Sequence, residues 1–433
     1  MGGSTRTWLE AAHAELEHTL PRSARAALLT GDLTDAEGRP RDVLAHFGLK
    51  RDGLHTIRHN FSGLRQTFNG IGMESFVDEE APVWEGFENV WVPVADDLSL
   101  YGRIGYACEE GRIRDADCIV ILPGFFGDAG VTRTRDLARA LVDAGYHALA
   151  IEIRGHGRTE YRYPDKRFTF GVLESIELLR VDEWLRAQPH VERTGLMGFC
   201  WGANVAMITA WMDGVRESDH SIGSHFQRYV PARSVEPHFA AGVMAFSPAL
   251  NFEVLIDQLE EPVSALSNAM VYGIQSTIEL RMRRKGYGPP LHSLRWLIDQ
   301  EYAHSEIGLS PEKHRQMFRF LRMLEYRGRL VGDKFESIRI PTLVVHSGND
   351  PFITADSVAQ FMTAVKNPNI AALILPAGGH VGLATYSRRY YYSLIMNFFD
   401  RERGPAGRGD PVHQADASLP SATARSTAWT HSR

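Results

Sequence analysis

The chain has little cysteine, only Cys108, Cys118 and Cys200 among 433 residues, and no Cys-x-x-Cys pair. An odd number without paired spacing argues against a secreted disulfide framework and against a thiolate zinc site, and it favours a reducing interior. Long apolar runs are lacking too. Stretches such as Cys118 to Pro123 are the size of a strand, far short of the ~18 to 20 residues that cross a bilayer as a helix. The N-terminus, Met1-Gly-Gly-Ser-Thr-Arg-Thr-Trp8, carries one early Arg with no apolar core behind it. It therefore lacks the central region of a signal peptide, and a cytoplasmic location is expected. Neither sign of charge dominates, since 47 basic and 53 acidic residues leave a formal charge of −6. No global field draws such a chain to nucleic acid or to an anionic membrane, so neither is expected as a partner.

What remains is a globular composition, 44% hydrophobic and 23% charged, in a chain long enough to bury a large core without a metal or disulfide staple. Residues 1–85 open with Trp8, Leu9, Ala12, Leu16 and Leu20 at helical spacing. They read as an N-terminal helical appendage that serves packing or dimerisation. From Glu88 the pattern changes to period two, through Val90, Val92 and Val94 and then Leu98 and Leu100. That predicts an antiparallel hairpin turning near Asp96-Asp97.

Apolar strand-like runs follow at Cys118 to Leu122, His147 to Ile153, Thr194 to Phe199, Phe239 to Phe246, Thr342 to His346 and Ile370 to Leu375. Helical patterns at 131–144, 171–187, 201–213, 355–365 and 387–400 lie between them. This alternation predicts an α/β fold, a mostly parallel sheet flanked by helices. The interval from Phe246 to Thr342 breaks the rhythm with helix-rich sequence interrupted at Gly286-Tyr-Gly-Pro-Pro290. It is too long for a loop and reads as a helical cap inserted after the sixth strand. The expected organisation is an appendage at 1–85, a core at 86–249 and 339–400, a cap at 250–338 and a disordered tail at 401–433, which is rich in Gly, Pro, Ser and Arg.

The most informative segment is Gly198-Phe-Cys200-Trp-Gly202, entered from a short strand and continued as a helical pattern. A nucleophile on a sharp strand-to-helix turn needs residues two positions away that are small enough for strand and helix to approach. Gly198 and Gly202 meet that need. Cys200 suits the place, because a thiol of ordinary pKa about 8.5 is pushed toward thiolate by a helix N-terminus and a neighbouring His.

Downstream, Pro341-Thr-Leu-Val-Val-His346-Ser-Gly-Asn-Asp350 ends one strand with an Asp, and Ile370-Ala-Ala-Leu-Ile-Leu-Pro376-Ala-Gly-Gly-His380-Val-Gly382 ends the next with a His. Cys200, Asp350 and His380 therefore follow the chain order nucleophile, acid, His, each at the carboxyl edge of its strand. Upstream, Leu122-Pro123-Gly124-Phe125 stands where an oxyanion hole takes one backbone N–H, from Phe125, to complement that of Trp201. Another histidine, in Arg154-Gly-His156-Gly157, reads as part of a structural turn, since His380 is better placed as the base.

These residues carry a resemblance. From about Glu88 to Asp400, apart from the insertion, the chain resembles the α/β-hydrolase superfamily through its elbow, the Arg154-Gly-His-Gly157 turn, Gly348-Asn-Asp350 and Gly379-His380. The resemblance implies Cys200 as nucleophile, His380 as general base and acid, and Asp350 as the orienting carboxylate. Two departures stand out: Pro123-Gly124 replaces the usual His-Gly, and Cys200 replaces the usual Ser. The elbow is similar to that of dienelactone hydrolases, which lack so long an insertion. Polyhydroxyalkanoate synthases also use Cys, but the Arg-Gly-His-Gly turn is unlike theirs.

The implied reaction is hydrolysis of an ester, lactone or thioester through an acyl-cysteine. The alternative is acyl transfer or cyclisation, with the acyl group passed from Cys200 to an amine or alcohol. A different class, a ligand-binding protein on a hydrolase fold, stays open on fold alone. Neither cofactor nor metal is called for. The expected partner is a small acyl substrate. In the cap, Arg281, Arg283, Arg284 and Lys285 read either as a solvated basic face or as recognition of a carboxylate, or of a phosphate on a carrier- or CoA-linked acyl group. Tyr272, Tyr287, Trp296, Tyr302, Phe318 and Phe320 read as core or as the wall of a pocket for a bulky acyl group. A homodimer through the appendage is the other association considered.

Overall fold

A computed structural model of the chain describes residues 4–22, 26–48, 61–67, 83–125, 127–215, 232–250, 294–307 and 335–402. The strands are β1 (Leu28–Leu29), β2 (Phe87–Ala95), β3 (Leu98–Gly105), β4 (Cys108–Glu109), β5 (Arg112–Ile113), β6 (Ala116–Leu122), β7 (His147–Ile151), β8 (Val191–Phe199), β9 (Gly242–Phe246), β10 (Thr342–Ser347) and β11 (Ile370–Leu375). Among the described residues nine of them form one sheet in the order β1-β11-β10-β9-β8-β6-β7-β3-β2, while β4 and β5 pair separately. The strands from β11 to β7 run parallel, and β2, β3 and the short β1 add antiparallel margins.

The helices are α1 (Thr5–Leu16), α2 (Val43–His46), α3 (61–67), α4 (Thr132–Asp143), α5 (Gly157–Arg162), α6 (Val172–Arg186), α7 (Trp201–Gly214), α8 (Leu294–Ala303), α9 (Ala355–Thr363), α10 (Leu383–Tyr386) and α11 (Arg388–Asp400). Side-chain alternation splits the core in two. Cys118, Val120 and Leu122 of β6 face the side covered by α6, α7 and α9. Ile119 and Ile121 face α1, α4 and α11. The central strands are buried on both faces, which is why they read as continuous apolar runs without alternation. Helix α7 is buried along its whole length, so its pattern lacks the polar stripe of a surface helix.

The segment ahead of residue 86 is woven into this core. β1 pairs with β11 at the sheet edge. Trp8 of α1 meets the Phe398 ring edge-on at 5.3 Å, and His13 Nδ1 lies 2.7 Å from the Tyr390 hydroxyl. Within the expected cap, 250–338, only 250, 294–307 and 335–338 are described. There Ile298 and Ile307 are buried in the main cluster, and Glu301 accepts the Phe168 N–H at 3.0 Å. The basic residues at 281–285 and the tail from 403 onward lie outside the described residues.

Candidate active site

Four parallel strands end at one edge, and each delivers a residue of the predicted site. Register places Leu122 of β6 beside Gly198 of β8, and Phe199 beside Phe246 of β9. The chain therefore leaves β6 and β8 into adjoining turns at the carboxyl edge, where ligands bind in open α/β sheets.

The turn at Cys200 is strained. Its φ is +54° and ψ −119°, conformations that a residue with a side chain adopts only when its surroundings impose them. The strain is imposed from both sides. The Cys200 N–H donates to the Phe246 carbonyl at 2.9 Å, and its own carbonyl accepts from Ala203 N–H at 3.0 Å as α7 begins. A methyl group on Gly202 would lie 2.2 Å from the Pro123 carbonyl oxygen.

Across from the thiol stands His380, in the loop after β11. Its Nδ1 lies 2.8 Å from Asp350 Oδ2, which leaves Nε2 for the Cys200 thiol with which it is hydrogen-bonded. Asp350, in the turn after β10, accepts the Phe352 and Ile353 N–H groups on Oδ1 at 2.9 and 3.0 Å. Both its oxygens are thereby occupied, and one rotamer is selected. The electrostatics follow. Burial opposes the charged form of each group. Nevertheless the His380 cation holds the Cys200 thiol below its ordinary range, helped by its hydrogen bond and by the Trp201 N–H. Asp350 and the thiolate raise His380, and His380 in turn lowers Asp350. Both shifts run in the direction that favours a thiolate beside an imidazolium.

Of the predicted oxyanion donors, the Trp201 N–H bonds the Cys200 sulfur. The Gly124 carbonyl accepts from Gly127 N–H at 2.9 Å, so across the planar peptide the Phe125 N–H points away from that turn. His156 faces backbone carbonyls with both ring nitrogens, Arg154 O and Phe125 O, each at 2.9 Å. It ties the strand-end turn to the loop after β6 and does not join the thiol–imidazole–carboxylate chain. Behind the turn, Arg154 is paired with Glu177 in a buried bridge and reaches Glu306 at 2.9 Å. Lys166 bridges Glu306 and Asp97.

Several neighbours were not legible in the sequence. Arg133, in the first turn of α4, is 9% exposed. Its guanidinium lies 4.2 Å from the Phe199 ring centre, and Nη1 donates to Val381 O at 3.4 Å. It thus sits between the residue before Cys200 and the residue after His380, and it and a Cys200 thiolate stabilise each other. An Arg early in an amphipathic helix reads as a solvated face, so no pattern marked it. His346 lies 3.9 Å from Asp350, and burial lowers its pKa, which keeps it neutral beside the carboxylate. Of the cap aromatics singled out in the sequence, Trp296 alone has a described side chain, partly buried against the main cluster. Among the described residues no group of three His, Cys, Asp or Glu side chains is arranged to hold a metal ion, and no helix is long and apolar enough to cross a membrane.

The sequence profile described as "Alpha/beta hydrolase family" matches residues 119–390, more than half of the chain. The protein belongs to the alpha/beta hydrolase family, and its mostly parallel sheet flanked by helices is the fold of that family. No curated relative matches the sequence. Solved structures similar to it include the Pyrococcus furiosus esterase Pf2001, 17% identical with a TM-score of 0.46, covering 76% of this chain and 99% of that one. The 2,6-dihydroxy-pseudo-oxynicotine hydrolase is 14% identical with a TM-score of 0.47, covering 92% of this chain and 87% of its own. Est1E from Butyrivibrio proteoclasticus is 13% identical with a TM-score of 0.40, covering 72% and 96%.

Proposed function

We propose that this protein hydrolyses an ester, lactone or thioester through a covalent acyl-Cys200 intermediate. The observation that supports this most is the continuous chain from Asp350 Oδ2 through the His380 ring to the Cys200 thiol, with the thiol pKa lowered and that of the imidazole raised. A structural cysteine in an apolar core has the opposite shift, as Cys118 does, where burial drives the thiol far up.

The Cys200 thiolate attacks the acyl carbonyl, whose oxygen gains charge and is met by the N–H groups of Trp201 and Phe125. The carbon–heteroatom bond then breaks, and the His380 imidazolium gives its Nε2 proton to the leaving alkoxide or thiolate. An acyl thioester remains on Cys200. Neutral His380 next takes a proton from water as the oxygen attacks that thioester. The second tetrahedral adduct expels the Cys200 thiolate, and the carboxylic acid departs while the imidazolium is restored. Asp350 stays ionised throughout, holding the ring in place.

The test compares wild type with Cys200→Ala on a panel of esters, lactones and acyl thioesters, with and without an amine. Free acid with a transient acyl adduct in the intact mass, both lost in Cys200→Ala, is the expected result. Turnover that survives Cys200→Ala overturns the mechanism. Amide formed at the expense of acid when amine is present transfers the assignment to an acyltransferase.

A further inference from the structure

The loop that carries His380 is held by side chains brought from elsewhere in the fold. Gly378, Gly379 and Val381 have φ of +146°, +61° and +55°, so the loop is a left-handed path that includes a β-branched residue. Such a path persists only where its surroundings over-determine it. Its polar backbone atoms are satisfied one after another. Gly378 N–H donates to Gln66 Oε1 at 3.0 Å, and Gly379 N–H to Asn349 Oδ1 at 2.8 Å. His380 N–H donates to Thr67 Oγ1 at 2.7 Å, and Val381 N–H to Ser247 Oγ at 3.3 Å. Ser347 Oγ donates to the Gly379 carbonyl at 2.5 Å.

Two of these acceptors, Gln66 and Thr67, come from α3, in a region that carries no catalytic motif. Each is itself fixed. The Thr67 hydroxyl donates to Gly63 O at 2.7 Å, which turns a lone pair toward His380 N–H. Gln66 Oε1 also accepts from Asn349 Nδ2 at 2.7 Å, and Asn349 adjoins Asp350. Backbone contact is equally close, since a methyl group on Gly63 would lie 2.0 Å from Asn349 O and one on Gly379 would lie 2.4 Å from Gly63 O. Helix α3 therefore spans the acid-bearing turn and the histidine-bearing loop and sets one against the other.

We propose that Thr67 and Gln66 are positioning residues for the Cys200–His380 pair, so that the segment ahead of the sheet is a working part of the active site. The proposal rests on the reading of Cys200 and His380 given above. Its physical content is that misplacing a reacting group by an ångström or less costs on the order of 100-fold in rate. The imidazole, tied to Asp350 on one side, reaches the thiol only if its own backbone is held.

The experiment measures iodoacetamide alkylation of Cys200 between about pH 5 and 9, a window that spans lowered and ordinary thiol pKa values. Reaction is read by peptide mass, because Cys108 is exposed and would also react. It requires no knowledge of the acyl substrate. Wild type is compared with Thr67→Val, which keeps the shape and removes the acceptor, with Thr67→Ser, which restores it, and with Gln66→Met. Thermal melting and circular dichroism report folding. The expected result is a profile moved toward that of an ordinary thiol in Thr67→Val and, less strongly, in Gln66→Met. A kcat reduced on the order of 10- to 100-fold at unchanged KM should accompany it on any ester turned over. Thr67→Ser should retain the wild-type profile.

Folded Thr67→Val and Gln66→Met whose profiles superimpose on wild type would overturn the proposal. If Thr67→Val does not fold, an unshifted Gln66→Met does so alone. An ordinary thiol profile in wild type would overturn the reading of Cys200 and this inference with it. A low wild-type profile that shifts in the variants, without turnover of any acyl substrate, supports the positioning role while removing the proposed function.

Discussion

Gly198 and Gly202 lie against each other across the turn that carries Cys200: a methyl group on Gly198 would sit 2.2 Å from the Gly202 carbonyl oxygen. That is far inside van der Waals contact, so strand β8 and helix α7 approach each other here more closely than any side chain on Gly198 would allow.

Gly198→Ala should therefore lower stability by on the order of 1–3 kcal/mol through overpacking against backbone that cannot move aside. Thermal melting of purified protein measures it. A melting point equal to wild type would show that the elbow is looser than its geometry requires.

Asp350→Asn should keep the fold and lose the chemistry. The amide keeps the shape but removes the charge that raises His380, and it presents the ring with the wrong tautomer, worth on the order of 10⁴ in kcat where such a residue orients a catalytic His. Steady-state turnover on an active substrate checks this. A loss below tenfold would place the orienting role elsewhere.

Turnover should follow a bell in pH. The thiolate disappears as pH falls through the lowered Cys200 value, and the proton donor disappears as pH rises through the His380 value of about 10. The acid limb should thus lie below the ordinary thiol range of about 8.5. Initial rates across the range decide it, and an acid limb at the ordinary thiol position would speak against the ion pair.

Arg154→Met should destabilise the protein more than Glu306→Gln. Arg154 and Glu177 are 4% and 6% exposed at their side chains, whereas Glu306 is 42% exposed. Removing Arg154 strands a buried carboxylate, at a cost of ~3–5 kcal/mol for a broken buried pair. A half-exposed partner such as Glu306 contributes ~1 kcal/mol or less. Urea denaturation of the two variants ranks them, and equal losses would contradict the burial argument.

The strands from β6 to β11 and the helices α4, α6, α7, α9 and α11 were legible because they obey local rules: apolar runs, helical periodicity, and Gly or Pro where each element stops; the short α5 and α10 were not. The residues of the candidate site were legible for the same reason. Cys200, Asp350 and His380 each occupy a short turn after a strand, and a turn's demands are written in its immediate neighbours. Edge strand β1 was not legible, since two leucines carry no period, and neither was α3, since 61–67 lies in a mixed stretch punctuated by Gly.

From the sequence alone, then, follow the order of the core strands and their longer helices, the strained elbow and the three side chains at the sheet's carboxyl edge. Only the tertiary structure decides that Thr67 meets His380 across 313 positions of chain, or that Arg133 comes between the residues flanking thiol and imidazole. The reason is physical. Turn and strand preferences are set by neighbours along the backbone, whereas a side chain that holds a distant loop is selected by packing and by the need to pair each buried N–H, and no period in the sequence records it.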